Sequence, residues 1–447
     1  MKKFKLNKIG RRFWRTVCVL FALLGIWNIY YFSTLTRFPA GQTGGREPAS
    51  SADRSAPMTT TISDPAYKLQ IDKATTLLTL IGEDKKLPSF SVAIGHRGKV
   101  IWSAAVGYQD MDAGIIATPK TQYRIGSTSK AVTTTGVARA VDDHKIQLEA
   151  VIGDTIVNWT KKKWDFSMQQ LLSHTAGVGN YEDFGFASAK YTLCNCHEFA
   201  TAAEGLKVFD QYDLIFEPGT SFAYSTFDIN LASVVLEQAV GTPFLDYMEA
   251  QVFQPLGMKD TYGDHARPKT DHFATFYETK NGYYREYRIF EQLYDINLSY
   301  KWAGGGFIST PTDLVKMGNA YLTNDAFISH DTKRKFWTPM KLDNGEVNEQ
   351  QYALGWRSYL DYKNPNILNG QTPVWMVHHG GVSKGSQNFL VLFPNYDLVI
   401  DASINTNVDD FGTFSQEVYK IAHIFLKTIE KKEKALFREI KELTESD

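Results

Sequence analysis

A chain of 447 residues that is 43% apolar and 22% charged has the composition of a folded protein, long enough for a large catalytic unit with extensions. Its formal net charge of −1 gives no reason to expect nucleic acid as a partner. The 28 Phe, 23 Tyr and 9 Trp suit a sizeable core.

From the N-terminus, Lys2, Lys3, Lys5, Lys8, Arg11, Arg12 and Arg15 precede an apolar run from Val17 to Phe32. Phe38-Pro39-Ala40 is a poor cleavage site, so residues 1–33 read as an uncleaved signal-anchor helix in a membrane, with the remainder exported. A basic, acid-free N-terminus also resembles a transit sequence, which makes a mitochondrial address the alternative. Residues 34–63, rich in Gly, Pro, Ser, Thr and Ala, read as a flexible linker. Residues 64–430 read as one catalytic domain, and 431–447 as a charged C-terminal tail. Cys18 lies in the apolar run, while Cys194 and Cys196 sit in a loop, free or disulfide-linked. With His197 they mimic a metal cluster, but no fourth ligand follows at a standard spacing, so no metal is expected.

Within the domain, Ala66–Gly82 carries Leu69, Ile71, Leu77, Leu78 and Ile81 at helical spacing. Phe90–Ile94 and Val100–Trp102 flank a turn at His96–Lys99, a hairpin signal. Helices are expected at Ser127–Asp143 and at Phe227–Val240, the second ending on Gly241. Near the C-terminus, Val374–Val377, Asn388–Phe393 and Leu398–Ser403 read as strands, and Phe414–Lys427 as a helix. Strands at both ends with helices between them predict that the two ends close one sheet around an inserted helical block.

The chemistry gathers around Gly126-Ser127-Thr128-Ser129-Lys130. Ser127 is the only serine followed by a lysine three positions on, and that offset puts both side chains on one helical face. A serine hydroxyl is a weak nucleophile until a neighbouring base takes its proton, and a helix N-terminus favours the developing negative charge. Downstream, Tyr224-Ser225-Thr226 precedes a helix, where a tyrosine can relay a proton. His378-His379-Gly380-Gly381 follows a short apolar strand, where a glycine lets substrate approach the backbone.

These segments resemble the serine β-lactamase and penicillin-binding-protein superfamily with its esterase relatives. The match is to Ser-x-x-Lys at Ser127–Lys130, Tyr-x-Asn at Tyr224–Thr226 and Lys-Thr-Gly at His378–Gly380. Leu171–Gly177, Pro255–Met258, Gly304–Gly306 and Leu354–Trp356 agree in family order. The resemblance implies an α/β fold of the β-lactamase/transpeptidase type: an antiparallel sheet flanked by helices, an all-α region, and the active-site cleft between them. It implies acyl-enzyme chemistry without a cofactor, with Ser127, Lys130 and Tyr224 catalytic. It also implies an oxyanion hole from the N–H groups of Ser127 and Gly381, and substrate contacts at Thr226, His378 and Gly380. The expected substrate is a small-molecule or peptide ester or amide. The same motifs fit a β-lactamase, a D-Ala-D-Ala carboxypeptidase or a penicillin-binding sensor that acylates without turnover.

Two positions depart from the pattern: Thr226 replaces the family's asparagine and His378 its lysine. A neutral imidazole holds a carboxylate less well than an ammonium, so uncharged acyl esters are the expected preference over β-lactams. Gly381-Val382-Ser383-Lys384-Gly385 mimics a nucleophile elbow, but a strand follows it where an elbow needs a helix, so Ser383 reads as a hairpin residue. His174 and His379 read as structural.

Overall fold

The computed structural model describes residues 57–184, 191, 197–280, 283–286 and 296–445. The expected anchor and both loop cysteines lie outside these residues. Among the described residues no helix is long and apolar enough to cross a membrane.

Seven strands form the central antiparallel sheet: β1 (Met58–Ser63), β2 (Ser89–His96), β3 (Lys99–Asp110), β4 (Arg357–Tyr362), β5 (Val374–Ser383), β6 (Ser386–Phe393) and β7 (Leu398–Ile404). Their order is β1-β3-β2-β7-β6-β5-β4, with the short strand Ile115–Ile116 alongside β3. The β2–β7 pair joins the N-terminal strands to the C-terminal ones, as the sequence pattern predicts. The β2–β3 turn is made by Arg97 and Gly98, both at positive φ, which suits the twist of a tight hairpin.

Side chains alternate across each strand, and both faces are buried. Val92, Ile94, Phe389, Val391, Ile400 and Ala402 face α1 (Lys68–Asp84) and α5 (Phe411–Glu445) in one core. Ala93, Leu390, Leu392 and Val399 face the other core, which holds α2 (Ser129–Asp142), α3 (Thr226–Val240) and α4 (Pro311–Thr323). α3 stops at Gly241 in the left-handed region, as its sequence indicates.

Three boundaries differ from expectation. The last residues read as linker, Met58–Ser63, form β1 on β3, because their β-branched Thr-Thr-Thr-Ile run suits an edge strand. β5 continues past Val377 through Gly380 and Gly381 to Ser383, since its ladder with β6 is made by backbone and tolerates glycine. α5 runs on to Glu445 through the segment read as a tail, because Lys and Glu are good helix formers.

Trp102 on β3 is fully buried and stacks on Phe425 of α5 at 6.4 Å between ring centres. Trp102→Ala should therefore cost about 3–5 kcal/mol. Urea denaturation would register this as a lower midpoint at unchanged slope, and a midpoint within error of the parent would refute the packing role.

Candidate active site

The short strand Tyr123–Arg124 pairs with Phe307–Ser309 and leads into a 3₁₀ turn, Gly126–Thr128, that opens α2. Two hydrogen bonds fix this junction: the Ile125 N–H donates to the Phe307 carbonyl at 3.1 Å, and the Phe307 N–H to the Ser129 hydroxyl at 3.1 Å. Ser127 is thereby held, half-buried, at the helix N-terminus, with Lys130 one turn on.

Lys130 is fully buried. Its Nζ lies 3.2 Å from Ser127 Oγ, 2.6 Å from the Gly304 carbonyl oxygen and 3.5 Å from Thr226 Oγ1. Burial, with Lys301 and Arg357 nearby, pushes its pKa down to about 7. A neutral amine has two N–H bonds and one lone pair. It can donate to Gly304 and Thr226 while its lone pair accepts the Ser127 hydroxyl proton. Gly304 is itself fixed, its N–H donating to Asn230 Oδ1 at 2.9 Å. A Cβ there would collide with the Thr226 carbonyl, so only glycine lets this backbone approach α3.

The Tyr224 hydroxyl faces Ser127, and its ring lies 4.8 Å from Lys130 Nζ. Burial raises the tyrosine pKa, so the phenol keeps its proton at neutral pH. Behind the ring, at 4.5 Å, stands His174, whose Nδ1 is 2.9 Å from Asp228 Oδ2. Both are fully buried. Desolvation drives the histidine pKa well down and the aspartate pKa well up, so the pair is held toward its neutral forms. His379 is also internal, with Nε2 2.9 Å from the Tyr352 hydroxyl.

The opposite wall is the edge of β5. β4 pairs with it only as far as His378, and beyond that point the Ser127 turn packs against the strand. A Cβ on Gly381 would overlap the Ile125 carbonyl oxygen and stand 2.9 Å from the Ser127 amide nitrogen. The Thr128 hydroxyl ties the two elements together by donating to the His379 carbonyl at 3.3 Å. Ser383, last in β5 and paired with Ser386, sits at the hairpin as its sequence context indicates.

A cavity of about 470 Å³ opens from Ser127 and Tyr224, with Gly380, His378, Tyr359 and Phe411 in its wall. The structure therefore gathers Ser127, Lys130, Tyr224, Gly380, Gly381 and His378 around one cleft. Thr226, 6% exposed, is turned to Lys130. Burial and Arg357 push the His378 pKa down to about 3, so its ring is uncharged. It stacks on Tyr359 at 5.6 Å. Three polar residues of the site have no local sequence signature. Asn180 accepts from the Thr226 N–H at 3.2 Å, Asn230 braces Gly304, and Arg357 brings a guanidinium into the cavity wall. Beside the uncharged His378, Arg357 on the neighbouring strand brings a fixed cation to this wall.

A serine held against a desolvated lysine, beside a tyrosine and a bare strand edge, defines a class, and the Beta-lactamase family profile matches residues 74–419. The chain belongs to that family and is a hydrolytic enzyme of the β-lactamase-like serine hydrolase type. The bovine "Serine beta-lactamase-like protein LACTB, mitochondrial" is 27% identical over 406 residues, covering 72% of this chain and 71% of the relative. The protein flp of Staphylococcus aureus strain MW2 is 23% identical over 349 residues, covering 76% and 65%. Among solved structures, the hydrolase EstCE1 superposes with a TM-score of 0.66 at 19% identity, covering 80% of this chain and 99% of that one. The D-amino acid amidase of Ochrobactrum anthropi gives 0.62 at 19% identity, covering 80% and 99%.

The lowered Lys130 pKa has a stability signature. Unfolded, the amine keeps its proton to its ordinary 10.5; folded, it releases it near 7. The unfolded state binds more protons across that window, so this group makes stability rise with pH between about 7 and 10.5. Lys130→Met should be more stable than the parent at pH 7, and the advantage should shrink by pH 9.5 in urea unfolding. A pH-independent difference would mean that the amine is solvated in the fold.

Proposed function

We propose that the protein cleaves an ester or amide through an acyl-enzyme on Ser127. The observation that carries this reading is the set of three partners around Lys130 Nζ, which suits a neutral amine at physiological pH. The Lys130 lone pair takes the Ser127 proton as Oγ attacks the substrate carbonyl carbon. The Ser127 and Gly381 N–H groups stabilise the resulting oxyanion. Tyr224 passes the proton to the leaving group, whose bond to the acyl carbon breaks, and water then releases the acyl group from Ser127. Thr226, His378 and Gly380 border the substrate, Thr226 chiefly by orienting Lys130. No cofactor takes part. Two structural neighbours, a hydrolase with promiscuous acyltransferase activity and a D-amino acid amidase, support ester and amide substrates.

The N-terminal sequence supports a membrane location for the enzyme. Seven basic residues before an apolar run support a helical tether with the hydrolase on the far side. The mitochondrial designation of the bovine and human relatives supports delivery to that organelle as the second reading.

A fluorophosphonate probe followed by peptide mapping should label Ser127, and Ser127→Ala should lose both label and turnover. Lys130→Ala and Tyr224→Phe should each lower turnover at least about 10²-fold. Label on Ser383, or a fully active Lys130→Ala, would defeat the assignment. For the tether, protease added to intact cells or spheroplasts should reach the domain. Protection together with mitochondrial fractionation would establish the second reading, and recovery in the cytosol would reject both.

A further inference from the structure

β4 and β5 pair in the register Arg357 to His378. The uncharged imidazole thus lies opposite a guanidinium, directly across the strand pair. Among the described residues, Arg357 is the only charged side chain in the wall of the cavity that opens from Ser127 and Tyr224. Its Cζ stands 5.4 Å from the Tyr224 ring centre and 5.2 Å from that of Tyr352, so two aromatic faces orient it. One N–H group donates to Gln350 Oε1. Among the described residues, no carboxylate is within ion-pair distance of it.

The surrounding charges reinforce this sign. Lys301 and Arg357 both act on Tyr224 and on Lys130. Asp228, a carboxyl that acts on Lys130, is buried against His174 and held toward its neutral form. An oriented guanidinium with free donors and no acid partner is built to receive a planar anion, which it binds through two parallel hydrogen bonds. Beyond it the cavity is walled by Tyr359, Tyr362, Met376, Phe389, Phe411 and Tyr419, an apolar and aromatic lining.

Building on the acyl-enzyme reading above, we propose that the substrate is anionic, an ester or amide whose acyl portion carries a carboxylate that Arg357 receives beside Ser127. Arg357 is a specificity-determining residue, and it replaces from the neighbouring strand the charge that His378 lacks. This proposal predicts the opposite of the uncharged-ester preference expected from Thr226 and His378.

The test compares two p-nitrophenyl esters of equal acyl length, the mono-adipate with its free carboxylate and the neutral hexanoate, with enzyme-free hydrolysis subtracted. The wild-type kcat/KM ratio, adipate over hexanoate, should be at least about tenfold, the value of one charge-assisted pair. In Arg357→Met the ratio should fall close to one, whatever happens to either rate alone. Arg357→Lys, which keeps the charge without the fork, should retain part of the preference and guards against a misfolded Met variant. A wild-type ratio of one or less, or an undiminished ratio in Arg357→Met, would overturn the proposal. The acyl-enzyme reading is judged separately by Ser127→Ala on hexanoate alone. Full hydrolysis there would sink that reading without touching the ratio.

Discussion

An alkylammonium in water holds its proton to about pH 10, but at Lys130 it holds it only to about 7. The difference comes from enclosing one amine between α2, α3 and the Gly304 carbonyl, out of reach of solvent. Much of the local architecture serves that enclosure. Asn230 aligns Gly304, the missing side chain of Gly304 lets its backbone approach α3, and Thr226 closes the remaining side. Desolvation alone would only cost stability. Placing Ser127 Oγ beside the amine lets its free lone pair serve as a general base at neutral pH.

The sheet contributes the other half of the cleft, and the two halves meet through backbone rather than side chains. Gly381 and the Ser127 turn approach so closely that any side chain on Gly381 would displace the serine. The Thr128 hydroxyl then sets their spacing from the His379 carbonyl. Charge is distributed with the same economy. The buried histidines and Asp228 are held neutral, leaving Lys301 and Arg357 to set the sign of the cleft around Lys130 and Tyr224.

What could be read from the sequence was local. Ser127 and Lys130 are three residues apart on one helix, so their contact follows from helical geometry, and the strand alternation of Phe90–Ile94 announces its own burial. The β-lactamase-like fold and the order of its motifs were legible for the same reason. Arg357 was not, because its meaning lies in a register between two strands that hydrophobic pattern does not specify residue by residue. Asn180 and Asn230 were likewise silent, since they act on backbone groups far away in sequence. Gly380 and Gly381 suggested the end of a strand, yet the ladder to β6 carries β5 through them. The threonines of β1 look like linker until β3 is there to pair with them.

The pairing of Ile94 with Ile400 has a consequence for the order in which this molecule comes into being. These two residues are roughly 300 positions apart, so the sheet is a long-range closure that must wait for nearly the whole chain. During synthesis the helical block with Ser127 and Lys130 leaves the ribosome well before β5, β6 and β7. Until those strands arrive, the serine lacks the Gly381 edge and the wall that bears Arg357 and His378. The cleft is therefore completed only when the last strands of the chain have been made and paired.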